Sequence, residues 1–149
     1  MLRFIKTDAS NQDFKELSGL FDDFLVDIDG DQFDFYSNLN NVFLEHVLVF
    51  YEDEIAVGCG GFKINDSNLP ELKRMFVHPN FRRKGISNTI LTELELWIKE
   101  LNFTEIVLET SPKLESAIAL YKKFGYYQIP NYGIYIGEEN SICMKKTIK

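Results

Sequence analysis

Three consecutive cations stand directly before a glycine in an otherwise acidic chain. Arg82, Arg83 and Lys84 precede Gly85, and an apolar helical pattern begins at Ile86. The first N–H groups of a helix have no partner within it and lie at the positive end of its dipole. Such an end binds phosphate, and glycine lets the phosphate approach the backbone closely. The turn therefore predicts a phosphate site, although three solvated surface cations would explain the charges as well.

This turn carries neither of two well-known nucleotide-binding patterns. Gly-x-x-x-x-Gly-Lys-Ser/Thr and Gly-x-Gly-x-x-Gly are both absent from the sequence. Cys59 and Cys143 have no second cysteine or histidine at a metal-ligand spacing, so we read them as buried thiols and expect no metal. A P-loop enzyme, a dinucleotide-dependent enzyme and a metal-centred enzyme are therefore disfavoured.

Hydrophobic periodicity divides the chain into alternating strands and helices around this turn. The order is one strand, two helices, three strands, a helix, a strand, a helix and two strands, which indicates one α/β domain over residues 1–149 with a mixed sheet. Strands are predicted at 2–6, 46–51, 55–64, 71–78, 104–109, 126–129 and 141–147. Helices are predicted from 10 or 11 to about 26 and at 32–43, 85–101 and 113–124.

Composition supports a globular enzyme or binding domain. The chain has 149 residues, of which 45% are hydrophobic and 26% charged, so it can bury one core. The net charge of -7 argues against nucleic-acid binding, which needs a positive field. No apolar run approaches the roughly 20 residues of a membrane span, and the first residues are too short a run for a signal peptide. We expect a cytoplasmic protein with neither nucleic acid nor membrane as partner; the oligomeric state stays open, a homodimer included.

Two motifs resemble those of the GNAT superfamily of N-acyltransferases. Residues 77–79 are Val-His-Pro and residues 82–87 are Arg-Arg-Lys-Gly-Ile-Ser, similar to the family's Val-x-Pro and Gln/Arg-x-x-Gly-x-Gly/Ala, with Ser87 at the last small position. About thirty residues later, residues 117–126 match Ala-x-x-x-Tyr-x-x-x-Gly-Phe/Tyr. Leu114 stands where many members have an asparagine, so we expect that coenzyme contact to be missing.

The resemblance implies a fold and a co-substrate. The fold is a mixed, mostly antiparallel sheet of about six to seven strands, with helices on both faces and two central strands that splay apart. Acetyl-CoA would lie in the opening, with its pantetheine arm on the backbone of the strand that ends at residue 77 and its pyrophosphate on the amides of 82–87. The coenzyme-binding residues implied are Met75, Phe76, Val77, Arg82, Arg83, Lys84, Gly85, Ile86 and Ser87.

The resemblance also implies direct attack of an amine on the thioester, with two proton transfers. Glu71, at the start of the splayed strand, is the first candidate for the base that accepts the amine proton, and Glu109, at the end of the next strand, is the second. Tyr121 would return a proton to the leaving thiolate. Each residue also has a plain structural interpretation, as an exposed or salt-bridged glutamate or a core-facing tyrosine.

The acceptor is predicted to be a primary amine of a small molecule. Its pocket would be formed by the first two helices and the 130–140 loop. Strand alternation places Glu71, Lys73, Met75 and Val77 on one face, but the resemblance implies a bulge, which would change this parity. Two alternatives remain: a coenzyme-binding sensor or interaction module without turnover, and an unrelated α/β domain with a surface cation cluster.

Overall fold

A seven-stranded sheet forms the centre of the computed structural model, which describes residues 1–40 and 42–148. Three short 3-10 turns, at Gly30–Gln32, Pro79–Phe81 and Gly133–Tyr135, connect longer elements. Those elements are β1 (Leu2–Thr7), α1 (Gln12–Asp29), α2 (Phe33–Asn40), β2 (His46–Glu52), β3 (Ile55–Ile64), β4 (Pro70–Val77), α3 (Ile86–Glu100), β5 (Glu105–Thr110), α4 (Glu115–Lys123), β6 (Tyr127–Ile129) and β7 (Ile142–Thr147).

The sheet is mixed and mostly antiparallel, as predicted. Its strand order is β1-β2-β3-β4-β5-β7-β6, and β4 and β5 form the parallel pair. The core on one face contains the apolar side of α3 together with Tyr121 of α4, and α1 packs on the other face through Phe14 and Leu17. Helices therefore cover both faces of a single domain. In the described part of the chain, no helix is long and apolar enough to cross a membrane.

The two central strands part from one another halfway along their length. β4 pairs with β5 at Glu71–Val107 and Leu72–Leu108, while β4 itself continues to Val77. Beyond Leu72 the backbone groups on this edge of β4 therefore face an opening and not a neighbouring strand. This parting confirms the predicted splay, and it places Lys73 and Glu109 at the point where the opening begins.

A β-bulge in β4 changes which side chains share a face. Lys73 pairs with Gly61 and Phe76 pairs with Cys59, so two residues, Arg74 and Met75, stand opposite Gly60 alone. Arg74 accommodates the extra residue with a left-handed φ of 59°. The bulge therefore changes the regular alternation of residues 71, 73, 75 and 77, as the family resemblance leads one to expect. Leu72, Met75 and Val77 pack with the α3 core, whereas Phe76 belongs to the cluster on the α1 face.

The helix ends near the site follow from local sequence. At the start of α1 the Asn11 side chain accepts a hydrogen bond from the Phe14 N–H at 2.9 Å, a standard N-terminal cap. The helix extends past the predicted end near residue 26 and stops at Gly30, which has a φ of 54°. α3 begins after Gly85, whose φ of 77° is left-handed, and is held to the sheet by the fully buried Ile90 and Leu94. These ends fix α1 and α3 on opposite sides of the parted strands.

Candidate active site

A cavity of about 760 Å³ occupies the opening between β4 and β5. Its walls come from the end of β4, the basic turn, the end of β5, the first turns of α4 and the inner side of α1. Most of the residues predicted for the site line this cavity: Met75, Phe76, Val77, Arg82, Arg83, Gly85, Ile86, Ser87, Glu109 and Tyr121. Two predicted residues, Lys84 and Glu71, are outside the lining.

The turn before α3 forms a cradle of backbone N–H groups. Arg83 and Gly85 both have left-handed φ values, 65° and 77°, and successive N–H groups in such a turn point into one concavity. Among the described residues, the first backbone hydrogen bond donated after this turn is from Thr89 to the Gly85 carbonyl, at 3.2 Å. A Cβ at Gly85 would meet nothing within 4 Å, so the cradle is open. It provides unpaired donors of the kind that a diphosphate binds.

The three cations of the turn occupy different environments. Arg82 donates from Nε to the Val77 carbonyl at 3.1 Å, and its guanidinium lies 5.5 Å from the Phe76 ring centre. Arg83 is exposed and lines the cavity. Lys84 is exposed as well and is not a lining residue; its Nζ lies 5.3 Å from the ring centre of Phe81, which does line the cavity. Arg82 therefore braces the turn against β4, and Arg83 is the cation best placed for an anionic ligand.

Glu109 is a cavity-lining carboxylate in a poorly solvated position at the end of β5. Burial raises its pKa to about 7, although a hydrogen bond with Ser141 and the positive charge of Lys73 both act to lower it. A carboxylate with a pKa near 7 is a stronger base than an ordinary glutamate and is still partly ionised at neutral pH. Glu109 is therefore suited to accept a proton within the cavity.

Glu71 is more deeply buried and is engaged by other side chains. Its side chain is 4% exposed, and its Oε2 accepts a hydrogen bond from the Tyr132 hydroxyl at 2.9 Å. The ammonium groups of Lys73 and Lys63 lie 3.9 Å and 4.0 Å from its carboxylate oxygens. These contacts place Glu71 behind Lys73 and support a structural, charge-balancing role over a role as base.

Tyr121 lies across the opening on α4. Its hydroxyl donates to the Met75 thioether at 3.7 Å, a weak contact, and its ring meets Tyr126 edge to face with centres 5.7 Å apart. Burial, followed by the negative charge of Glu109, raises the pKa of its phenol. The hydroxyl therefore keeps its proton at neutral pH, and among the described residues no strong acceptor holds it. A neutral phenol in this state can donate to an anion formed in the cavity.

Sequence reasoning gave too little weight to two cations in the cavity wall. Lys73 and Arg74 are both buried and both line the cavity, although they are neighbours in a strand. The available signal was two cations within an otherwise apolar stretch, together with the expected bulge. From the two predicted pocket regions, Tyr36 of α2 lines the cavity, while Tyr132 and Tyr135 of the 130–140 loop contact Glu71 and Lys73 from outside its lining. Leu114, which caps α4, also lines it.

Comparison with known sequences decides the family. The profile described as the acetyltransferase (GNAT) family matches residues 14–126, from α1 to the end of the second motif. The chain belongs to this family. An "IAA acetyltransferase" of Azospirillum brasilense is 31% identical over 102 residues, which are 68% of this chain and 67% of that protein. The chain spans half or less of the length of two further curated N-acetyltransferases.

Solved structures agree on the fold of this GNAT chain. A Klebsiella pneumoniae protein assigned as an acyl-CoA N-acyltransferase superposes with a TM-score of 0.83 at 23% identity, covering 100% of this chain and 99% of that one. Salmonella typhimurium yncA, solved with its cofactor acetyl-CoA, has a TM-score of 0.65 at 16% identity, covering 100% and 95%. At these identities the likeness concerns the fold. Together with the family match, it identifies this chain as an acyltransferase of the N-acetyltransferase type.

Proposed function

We propose that the chain transfers the acetyl group of acetyl-CoA to a primary amine of a small molecule, with both substrates bound at once. The observation that carries the proposal is that one cavity contacts the amide cradle, the parted edge of β4, Glu109 and Tyr121. Holding the two reactants in one cavity makes their reaction effectively unimolecular, which supplies much of the rate.

The described residues fit the coenzyme. The N–H groups of 82–87 would bind the pyrophosphate, with Arg83 adding charge, and the edge of β4 at Met75 and Val77 would bind the pantetheine arm as an added strand would. The Val77 carbonyl already accepts a hydrogen bond from Arg82, so the Val77 N–H is the group of this residue that we expect to bind the pantetheine arm. Acetyl-CoA, when bound, supplies the activated acetyl group. A backbone N–H of the parted strand would stabilise negative charge developing on the acetyl oxygen.

Glu109 is the proposed base and Tyr121 the proposed acid. An alkyl amine is mostly protonated at pH 7 and must lose a proton before it can attack. Glu109 faces the cavity, whereas the Glu71 carboxylate is turned to Tyr132 and the two lysines. This favours the second of the two predicted bases. Tyr121, on the opposite wall, would give its proton to the departing thiolate and regain one from solvent.

The size of the cavity supports a small acceptor. Ligand sites commonly occupy about 300–1,000 Å³, and here the coenzyme arm must share about 760 Å³ with the acceptor. The remaining part is walled by Phe21, Phe24 and Ile28 of α1 and by Tyr36 of α2. We expect this reaction to take place in the cytoplasm, with a small molecule as partner.

The test is release of free thiol from acetyl-CoA in the presence of amines. A panel of amino acids, polyamines, aminoglycosides and short peptides should include acceptors that give steady release above the rate without amine. Acetyl-CoA alone should raise the melting temperature by roughly 5–10 °C at a hundredfold excess over its Kd. A rise in melting temperature without release for any amine would indicate a sensor and overturn the proposal.

A further inference from the structure

Building on the proposed function, we infer that the acceptor is a free amino acid with an apolar side chain, whose carboxylate binds to Lys73 and Arg74. These two cations come from one strand and line the acceptor side of one cavity. Both are buried, with side chains 6% and 2% exposed. Buried cations are costly unless their hydrogen bonds are satisfied. Asp22 and Glu71 balance the charges of Arg74 and Lys73, but they leave donors on both cations without an acceptor, and an anionic group of the ligand would supply one.

The bulge in β4 is what brings both cations to the same side. In a regular strand Lys73 and Arg74 would point to opposite faces. The left-handed Arg74 lets its side chain follow that of Lys73 onto the α1 face, where Nη2 donates to the Ser18 carbonyl at 2.8 Å and to Asp22 at 2.9 Å. Lys73 reaches the same face, where its Nζ donates to the Tyr135 hydroxyl at 3.1 Å.

Each cation has donors left over. The Lys73 ammonium has three, and within the described residues its hydrogen bond is the one to Tyr135, because Glu71 at 3.9 Å is beyond hydrogen-bonding distance. Arg74 Nη1 is buried and has no hydrogen-bond partner among the described residues. A carboxylate on the acceptor would accept from the Lys73 ammonium, and from Arg74 Nη1 after the guanidinium turns, since other protein atoms cover Nη1 in this structure. Arg74 also borders a smaller cavity of about 330 Å³ behind α1, whereas Lys73 does not. Substitution of Lys73 is therefore the more specific test of carboxylate binding in the larger cavity.

The position of Lys73 relative to Glu109 specifies the class of acceptor. Leu72–Leu108 is the last pair before the strands part, so Lys73 and Glu109 are the next residues on either side of the opening. An acceptor with its amine at Glu109 and its carboxylate at Lys73 needs the two groups close together, as they are on the α-carbon of an amino acid. The apolar wall formed by Phe21, Phe24 and Leu25 would then contact the side chain.

The proposed site should distinguish free amino acids from analogues that lack the carboxylate. A simple amine offers the buried donors of Lys73 and Arg74 no acceptor, and a peptide N-terminus or an amino-acid amide offers one neutral carbonyl oxygen in place of two charged carboxylate oxygens. Sites built to pair a polar group of the substrate discriminate strongly against analogues that lack it. The amine of an amino-acid amide is less basic and therefore more often neutral, so intrinsic reactivity alone would favour the amide. A preference for the acid would have to come from the protein.

The test compares L-leucine, L-leucinamide and 3-methylbutylamine in the thiol-release assay, with the phenylalanine series in parallel. We expect kcat/KM for the amino acid to exceed that for its amide and amine at least tenfold. Lys73→Gln and Arg74→Gln should remove this preference by raising KM for the amino acid, with KM for acetyl-CoA unchanged. Lys63→Gln is the matched control, since it removes a cation equally close to Glu71 but outside the cavity.

The outcomes separate this inference from the proposed function. Equal or better use of the amide or the amine would overturn the inference and leave the transferase intact. If no amine is acetylated, binding decides: in the presence of coenzyme A, N-acetyl-L-leucine but not N-acetyl-L-leucinamide should raise the melting temperature, and Lys73→Gln should abolish the rise. If the two N-acetyl compounds changed the melting temperature equally, the inference would also be overturned. Arg74→Lys, which keeps a cation beside Asp22, separates loss of binding from loss of folding.

Discussion

Two glutamates on neighbouring strands, Glu71 and Glu109, have different surroundings although they lie beside the same lysine. Glu71 accepts a hydrogen bond from Tyr132 and lies within 4.0 Å of two ammonium groups. Glu109 faces the cavity, and burial raises its pKa to about 7. Catalytic acids and bases are commonly distinguished by environments that move their pKa values apart. This contrast favours Glu109 for the proposed proton transfer, while the contacts of Glu71 balance the charge of Lys73.

Replacing Glu109 by glutamine should lower kcat about a hundredfold, the usual effect of losing a general base. In the native enzyme kcat/KM should rise with pH through about 7, as the Glu109 carboxyl loses its proton, and this limb should vanish in Glu109→Gln. A pH–rate profile measures both effects. Glu115→Gln is the control, because Glu115 is an exposed carboxylate lining the same cavity. A profile unchanged in Glu109→Gln would contradict the assignment.

The same substitution should stabilise the fold at alkaline pH. The pKa of Glu109 is raised from 4.5 to about 7, so between these values the folded state holds a proton that the unfolded state has lost. Native stability therefore falls as pH rises through this window. Glu109→Gln removes that loss, on the order of 1–3 kcal/mol. Thermal melts should show the variant several degrees more stable than the native protein at pH 8 and little changed at pH 4. An equal rise in melting temperature at both pH values would contradict the link between Glu109 ionisation and stability.

Two tyrosines in edge-to-face contact offer a matched pair of substitutions. Tyr121→Phe should lower kcat roughly tenfold to a hundredfold while leaving acetyl-CoA binding and stability nearly intact, because its hydroxyl makes only a weak contact with Met75. Tyr126→Phe should do the reverse. Its hydroxyl donates to Glu95 at 2.8 Å outside the cavity, so its loss should cost about 1 kcal/mol of stability without changing kcat. Steady-state kinetics and denaturant melts on both variants distinguish the two effects.

At the scale of the element, the glycines of β3 allow α3 to lie close to the sheet. A Cβ at Gly60 would fall 2.9 Å from Ile90 and 3.0 Å from Leu94, and Gly60 is also the residue that stands opposite the β4 bulge. The sequence indicated this arrangement, since glycines within a strand predict close approach or a bulge. It did not locate the extra residue at Arg74, because the bulge depends on pairing with a distant strand. That one residue decides where Lys73, Arg74 and Met75 point.

The site shows the same division between local and long-range information. The cradle and its motif are local in sequence, so the turn at 82–87 could be predicted from the sequence alone. The choice between Glu71 and Glu109 depends on Tyr132 and Ser141, which reach the site from elsewhere in the chain. Strand ends can therefore be predicted from periodicity, but the solvation of a carboxylate at a strand end requires its tertiary contacts.

Gly60→Ala tests whether the close packing of α3 matters for function. The added methyl group would push Ile90 and Leu94 away from β3 and crowd Met75, 3.1 Å away. We expect a loss of about 1–3 kcal/mol of stability and a raised KM for acetyl-CoA, because Met75 lines the cavity. Gly19→Ala, on the exposed side of α1 with nothing within 4 Å, should instead stabilise by about 0.5–1 kcal/mol without changing KM. If both variants changed stability and KM equally, the close packing of α3 on β3 would not matter for coenzyme binding.

For the molecule as a whole, the proposed function requires a chain of net charge -7 to bind a polyanionic coenzyme. The general repulsion acts over long distances, but the Debye length at 0.15 M salt is only about 8 Å, so distant charges are largely screened. The attraction of Arg83 and the backbone N–H groups acts at contact distance, where screening is weaker. Local attraction should therefore prevail at physiological salt and slow the dissociation of the bound coenzyme. The association rate should depend little on the net charge of the protein.

Arg83→Gln should accordingly raise Kd for acetyl-CoA several-fold, mainly through faster dissociation. Lys99→Gln changes the net charge equally but lies at the far end of α3, about 20 Å along the helix from the cradle, so it should alter Kd little. Stopped-flow association and dissociation at 0.05 and 0.3 M salt separate the two rates. If charge acts locally, only Arg83→Gln shortens the lifetime of the complex and weakens its salt dependence. Equal changes in both variants would mean that net charge governs binding, and the basic turn would lose its special role.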